Sequence, residues 1–344
     1  MTDIELGLAI HWTDQGFDDM VALAEAGERL GYGQLWVANE KFFHDMYVTA
    51  GVVAERTSRP AIGTFVADPY THHPALTAMA AATLDEVSGG RAMIGIGAGG
   101  TGFPEMGVAR HRPAQAIKEA VLLMRRLLAG GRVDFHGEVV HFNDGRLNIE
   151  ARPDIPLIVA SRGDLVLQTA GEVADRVMIA TYAEPQGLGH AKAMIGKGAG
   201  RAGRGLADIP LISRIDTCID DDHRAAYDAV KPSIGVILWN SYPDRKFVER
   251  VGLRVPDDLE AIIAKRDYNL MADNAHLIPD AFVDKFCWAG TAADVAAKVA
   301  AVIGEGVAGL TIMPLPAPGS TRIEVARAFA EDVVPRARQM AAPA

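Results

Sequence analysis

Ala61-Ile62-Gly63-Thr64-Phe65-Val66 runs through Ala67-Asp68-Pro69-Tyr70-Thr71-His72-His73 into Pro74 to Leu84, and the segment returns as Ala92-Met93-Ile94-Gly95-Ile96. The run 61–66 is short and apolar and suits a buried strand, whereas Pro74 suits the first turn of a helix, where its missing N–H is not needed. Residues 92–96 are again a short apolar run followed by glycine. The stretch therefore reads as strand, loop, helix, strand, the repeat of a parallel sheet.

The same alternation extends outward in both directions. Upstream, Leu6 to Ile10 and Leu35 to Val37 read as strands, with helices over Phe17–Leu30, closed by Gly31, and Val48–Arg56. Downstream come a helix from Pro113 to Leu128, a strand from Leu157 to Ala160, a helix from Asp164 to Ala174 and a strand from Val177 to Ala180. Leu211–Ile219 and Gly309–Met313 complete eight strands, with helices at Ala292–Ile303 and Arg322–Met340. Two stretches break the rhythm. Val133–Ile149 alternates around Asn143-Asp144-Gly145, which predicts a β-hairpin turning at those residues. Trp239–Cys287 is more polar and predicts a mainly helical insertion after strand seven. No G-x-G-x-x-G follows the first strand, so a closed barrel fits better than an open doubly wound sheet. The expected fold is α/β: a (β/α)8 TIM barrel over 1–344 as a single domain, with a hairpin insertion after helix four and an insertion over 239–287 after strand seven.

Composition bounds the function. The 344 residues carry 34 Lys and Arg against 44 Asp and Glu, a net charge of -10, which disfavours a general nucleic-acid or anionic-membrane surface. Cys218 and Cys287 lack metal-ligand spacing and read as buried thiols of a reducing compartment. The acidic start, Met1 to Glu5, and the lack of a long apolar run predict no signal peptide or span, and a cytoplasmic enzyme.

In a parallel barrel, the loops after the strands converge on one face and carry the chemistry. Here they are His11-Trp12, Asn39-Glu40-Lys41, Ala67-Asp68-Pro69-Tyr70, Gly97 to Gly102, Ser161-Arg162-Gly163 and Thr181-Tyr182. The glycines from Gly95 to Gly102 permit a flat ligand to approach the backbone, which is favoured over the other reading, a flexible turn between strand and helix. Ser161-Arg162-Gly163 opens a helix and suits a phosphate; Ser161 as a plain helix cap is the other reading. His72, His73 and His111 have no zinc-like spacing, so no metal is expected. No G-x-S-x-G elbow supports a hydrolase. Trp36, in mid-strand, reads as core, while Trp12 and Phe65 lie where an aromatic can flank a cofactor ring.

The run from Asp68 to Ala78, then Ala82-Thr83-Leu84-Asp85-Glu86-Val87-Ser88-Gly89-Gly90-Arg91-Ala92 and Gly95-Ile96-Gly97, resembles the luciferase-like superfamily. Pro156 to Gly163, Ala170 to Asp175, and Trp288-Ala289-Gly290-Thr291 with Gly306 to Gly309 agree with it. Within the superfamily the chain is similar to the coenzyme F420-dependent branch that includes methylenetetrahydromethanopterin reductase. The similarity spans residues 5–185 and 286–340. It implies a cofactor ring backed by Phe65, Val66 and Ala67, with a non-proline cis bond at Phe65–Val66. It also implies cofactor contacts at Gly97, Ala98 and Gly99, a phosphate near Ala160, Ser161, Arg162 and Gly163, and a further contact at Thr181. Ala9, Asn39 and Gly100 stand where the resemblance implies acids, which places the folate-like substrate in doubt. His11, Asn39 and Glu40 are the candidates for the polar catalytic role, with Glu105 and His111 behind them.

The expected activity is hydride transfer between coenzyme F420 and a small organic substrate. An FMN-dependent monooxygenase using oxygen and a non-catalytic cofactor-binding member are the alternatives. Lys41 or Arg162 would serve an anionic F420 tail, and relatives suggest a homo-oligomer, dimer or tetramer.

Overall fold

The computed structural model describes residues 4–11 and 16–341, so Trp12 lies outside the described residues. In chain order the first half comprises β1 (Glu5–Ile10), α1 (Phe17–Arg29), β2 (Gln34–Ala38), α2 (Met46–Arg56), β3 (Ala61–Phe65), α3 (Pro74–Ser88), β4 (Ala92–Ile96) and α4 (Pro113–Leu128). A hairpin, β5 (Val133–His136) and β6 (His141–Gly145), precedes β7 (Leu157–Ser161), α5 (Asp164–Val173), β8 (Arg176–Ala180) and α6 (Pro185–Arg201). The remainder is β9 (Leu211–Ile219), α7 (His223–Ser241), α8 (Lys246–Glu249), α9 (Asp257–Ala264), α10 (Tyr268–Asp273), α11 (Asp280–Phe286), β10 (Cys287–Gly290), α12 (Ala292–Gly304), β11 (Gly309–Pro314), α13 (Arg322–Ala328) and α14 (Val334–Ala341).

β1, β2, β3, β4, β7, β8, β9 and β11 lie side by side in that order, giving a closed eight-stranded parallel barrel. These are the eight strands the alternation predicts. β10 is an additional short strand that pairs in parallel with the end of β9, Cys287 opposite Asp216. The chain packs as two compact units, one formed by Glu5–Met178 and Ala191–Ile212, the other mainly by Ile179–His190 and Ser213–Ala344.

In the first unit, β2 and β3 align from Gln34 opposite Ala61 to Ala38 opposite Phe65. Trp36 is fully buried, as its mid-strand position predicts, and packs with Met93, Ile158, Met178 and Ile212. Its size dictates its neighbours. A Cβ on Gly63 would lie 2.4 Å from the indole, and one on Gly95 would lie 3.3 Å from it. The indole N–H donates to Gln34 Oε1 at 3.2 Å, so burial leaves no orphan donor.

The hairpin lies where the alternation predicts, but its turn does not. β5 and β6 pair antiparallel with His136 opposite His141, so the chain reverses over 137–140 and Asn143-Asp144-Gly145 belongs to β6. The physical reason sits on α4. The buried Glu119 carboxylate accepts the N–H groups of Glu138, Val139 and Val140 at 2.7–2.8 Å, fixing the reversal there. Burial alone would raise this carboxyl; hydrogen bonds from Gln115 and those three amides hold it below its ordinary range.

In the second unit, Trp288 of β10 is buried, stacks on Phe329 at 5.8 Å and donates its indole N–H to the Ala183 carbonyl at 3.1 Å. The insertion is helical as expected; Trp239 falls in the last turn of α7, and α8 to α11 follow. Cys218 and Cys287 are free and buried. Among the described residues no helix is long and apolar enough to cross a membrane.

Candidate active site

The C-terminal ends of five strands of the first unit, β1, β2, β3, β4 and β7, contribute residues to the candidate site. His11 follows β1, Asn39 and Glu40 follow β2, and Val66 follows β3; all four are half-buried. Gly97 to Gly99 follow β4, and Arg162 and Gly163 follow β7, which ends in Ser161. The parallel strands impose this grouping, since all their C-terminal ends point the same way.

The Phe65–Val66 peptide bond is cis. Asn39 holds both sides of it: its backbone N–H donates to the Phe65 carbonyl and its side-chain amide to the Val66 carbonyl, each at 2.9 Å. Asn39 is thus committed to the β2–β3 junction, and its amide can orient a partner but not carry a proton. Ala67 is buried and ties β3 to β4, donating to Gly95 and accepting from Gly97. Gly97 has no room for a side chain, because a Cβ would lie 2.9 Å from Val66 Cγ2 and 3.1 Å from the Ala160 carbonyl oxygen. Gly99 adopts φ 78°, and there a Cβ would meet the Phe103 ring at 2.5 Å.

Glu40 is the carboxyl suited to acid–base work. Burial pushes it up to about 7, against the opposing pull of the adjacent Lys41 charge. A group poised there exchanges protons near neutral pH.

Lys41 does something the sequence does not announce. Its ammonium lies 2.6 Å from Asp68 Oδ2, with side-chain exposures of 8% and 0%, so it is not a free cation for a ligand's tail. Asp68 also accepts from the Tyr70 and Thr71 N–H groups and the Thr71 hydroxyl. Burial would raise the Asp68 carboxyl, yet the Lys41 bond and the Thr71 contacts hold it below its ordinary range. Phe103 sits 5.1 Å from the Lys41 ammonium and 5.1 Å from the Arg110 guanidinium, and Arg110 donates to the Gly99 carbonyl. These contacts tie together the loops after β2, β3 and β4.

At β7, Ser161 Oγ accepts from the Gly163 N–H at 3.0 Å. Gly163 is the N-cap of α5 and no side chain caps that helix, so Ser161 is not the plain cap that one reading allowed. Thr181 belongs to the second unit, is buried with φ 80°, and donates its N–H to the Arg214 carbonyl. Glu105 and His111 are exposed. His72 bonds Thr77, and His73 caps α3 by accepting from the Ala75 N–H. Among the described residues no three His, Cys, Asp or Glu side chains are grouped to hold a metal.

The sequence pattern described as luciferase-like monooxygenase matches residues 4–309. The chain belongs to this family. Among its relatives, the 5,10-methylenetetrahydromethanopterin reductase of Methanolobus tindarius is 31% identical over 287 residues, covering 83% of this chain and 86% of that protein. The F420-dependent glucose-6-phosphate dehydrogenase of Amycolatopsis mediterranei is 26% identical, covering 94% and 95%. The structure of the coenzyme F420-dependent tetrahydromethanopterin reductase from Methanopyrus kandleri superposes with a TM-score of 0.84 at 26% identity, covering 97% of this chain and 99% of that one. On this luciferase-like barrel, Ala9 is buried, Asn39 is engaged with Val66 and Gly100 is exposed, and none of the three has a side chain that can ionise.

Proposed function

We propose that the protein is a coenzyme F420-dependent oxidoreductase that transfers a hydride between the cofactor and a small organic substrate. The observation that carries this reading is Glu40, a half-buried carboxyl poised near 7 one residue from the Asn39–Val66 contact, in a chain whose relatives are F420-dependent.

The residues fit a flat deazaflavin. Gly97 and Gly99 leave backbone where side chains would collide, beside the half-buried Phe65, Val66 and Ala98. Ala160, Ser161, Arg162 and Gly163 lead into the uncapped start of α5, where backbone N–H groups and the Arg162 charge favour a phosphate. Ala67, buried, bonds Gly95 and Gly97 beneath these segments. When bound, the cofactor supplies hydride exchange at C5 of its ring. The chain's part is to orient the substrate, exclude water and move the accompanying proton, which Glu40 gives or takes at its carboxyl oxygen, with His11 beside β1 as a further polar group.

The exposed apolar side chains Val48 on α2 and Leu76, Met79 and Val87 on α3 support assembly into a homo-oligomer. The test of the activity is spectroscopic. Oxidised F420 should bleach with a panel of alcohols, or reduced F420 should recolour with carbonyl and alkene acceptors. No colour change with any of them, in protein that binds the cofactor, would contradict turnover.

A further inference from the structure

We propose that Asp68 is a positioning residue for the Glu40 acid: by holding the Lys41 ammonium in a buried ion pair, it keeps that charge from neutralising Glu40 directly. This rests on the reading of Glu40 as the acid of the site.

Lys41 follows Glu40 in the chain, so its ammonium is within tether length of that carboxylate. Two structural restraints direct it elsewhere. The side chain runs beside Gly102, where a Cβ would lie 2.5 Å from Lys41 Cβ, and its ammonium ends 5.1 Å from the Phe103 ring and 2.6 Å from Asp68 Oδ2. Asp68 is in turn fixed by the Tyr70 and Thr71 N–H groups at 3.0 and 2.8 Å, so the acceptor stays put. A fully buried carboxylate beside a lysine retains its charge only while paired, which binds the two partners to each other.

The titratable and charged groups on the loops flanking Glu40, among the described residues, are His11 beyond β1; Lys41, His44 and Asp45 on its own loop; Asp68, Tyr70, His72 and His73 beyond β3; and Glu105, Arg110, His111 and Arg112 beyond β4. Of these, it is the Lys41 charge that acts on the Glu40 carboxyl, in the direction opposed to burial. Neutralising Asp68 therefore frees the ammonium to approach Glu40 and favours its ionised form. Removing the lysine charge does the opposite, because it takes away the one charge that opposes burial at Glu40. The two members of one ion pair must move Glu40 in opposite directions. A merely structural role would move it the same way for both, or not at all.

The experiment is a pH titration of the full-length protein labelled with carboxyl-13C glutamate, the Glu40 signal being assigned by its absence in Glu40→Gln. Asp68→Asn, which keeps an acceptor for the Tyr70 and Thr71 amides, should lower the Glu40 midpoint by about one pH unit, and Lys41→Met should raise it by about one. The double variant should follow Lys41→Met, because Asp68 acts on Glu40 only through the lysine charge. Should Asp68→Asn fail to fold, Lys41→Met against the charge-preserving Lys41→Arg decides: only the former should move the midpoint upward. Shifts of the same sign, or none in either variant, overturn the proposal. Adding F420 to the same samples separates the two claims. Opposed shifts without F420 binding leave the pair's role standing and remove the cofactor reading, whereas flat shifts with F420 bound remove the pair's role alone.

Discussion

The Asn39 side-chain amide reaches from the end of β2 to the Val66 carbonyl, 2.9 Å away at the end of β3. Asn39→Ala should leave that carbonyl short of a donor, and Asn39→Asp should set a carboxylate against it. Each should cost about 1–3 kcal/mol in urea unfolding. Unchanged stability in Asn39→Asp would show that the contact is dispensable.

Glu40 makes stability depend on pH. Its carboxyl is raised in the folded protein to about 7, so the folded state holds a proton that the unfolded chain has already released. This contribution is fully present below the ordinary carboxylate range and is lost as pH rises through 7. Wild-type protein should lose up to roughly 3 kcal/mol from this group between pH 5 and 8, a loss absent in Glu40→Gln. Urea midpoints at the two pH values measure it, and identical slopes for both proteins would contradict the raised carboxyl.

The Glu119 carboxylate organises the 137–140 reversal from α4. Glu119→Ala should cost about 2–3 kcal/mol, because three amide donors lose a charged acceptor. Hydrogen exchange at Glu138, Val139 and Val140 should accelerate, while β2 and β3 stay protected. Since hydrogen bonds hold this carboxyl low, its contribution is present above the ordinary carboxylate value and disappears as pH falls through the folded one.

Gly97→Ala would place a methyl group 2.9 Å from Val66 Cγ2 and 3.1 Å from the Ala160 carbonyl oxygen. Val66 must then shift, and the affinity for F420 should fall about tenfold, or about 1.4 kcal/mol. Isothermal titration reads this directly; wild-type affinity would show that the Gly97 backbone is not part of the cofactor's seat.

The eight barrel strands are legible because each is a short apolar run bounded by glycine, proline or a polar loop, as 61–65 and 92–96 are. α6 is not, since five glycines among its 17 residues read as breakers. Two of them serve close packing: a Cβ on Gly198 would lie 1.7 Å from the Gln168 carbonyl oxygen on α5, and one on Gly187 would lie 2.4 Å from the Tyr182 ring. β10 is only four residues long and joins the sheet through β9, so no local periodicity marks it. Asn143-Asp144-Gly145 has the chemistry of a turn, but Glu119 places the reversal elsewhere. At the site, strand ends locate Glu40 and Asn39 by position alone. What Lys41 does depends on Asp68, 27 residues away, and a contact at that separation leaves no trace in local sequence.

A fluorescence and absorbance titration of the purified protein with F420 and, separately, with FMN decides whether these strand ends hold F420. Saturable F420 binding in the micromolar range is expected, with little affinity for FMN. Preference for FMN, or binding of neither, would contradict it.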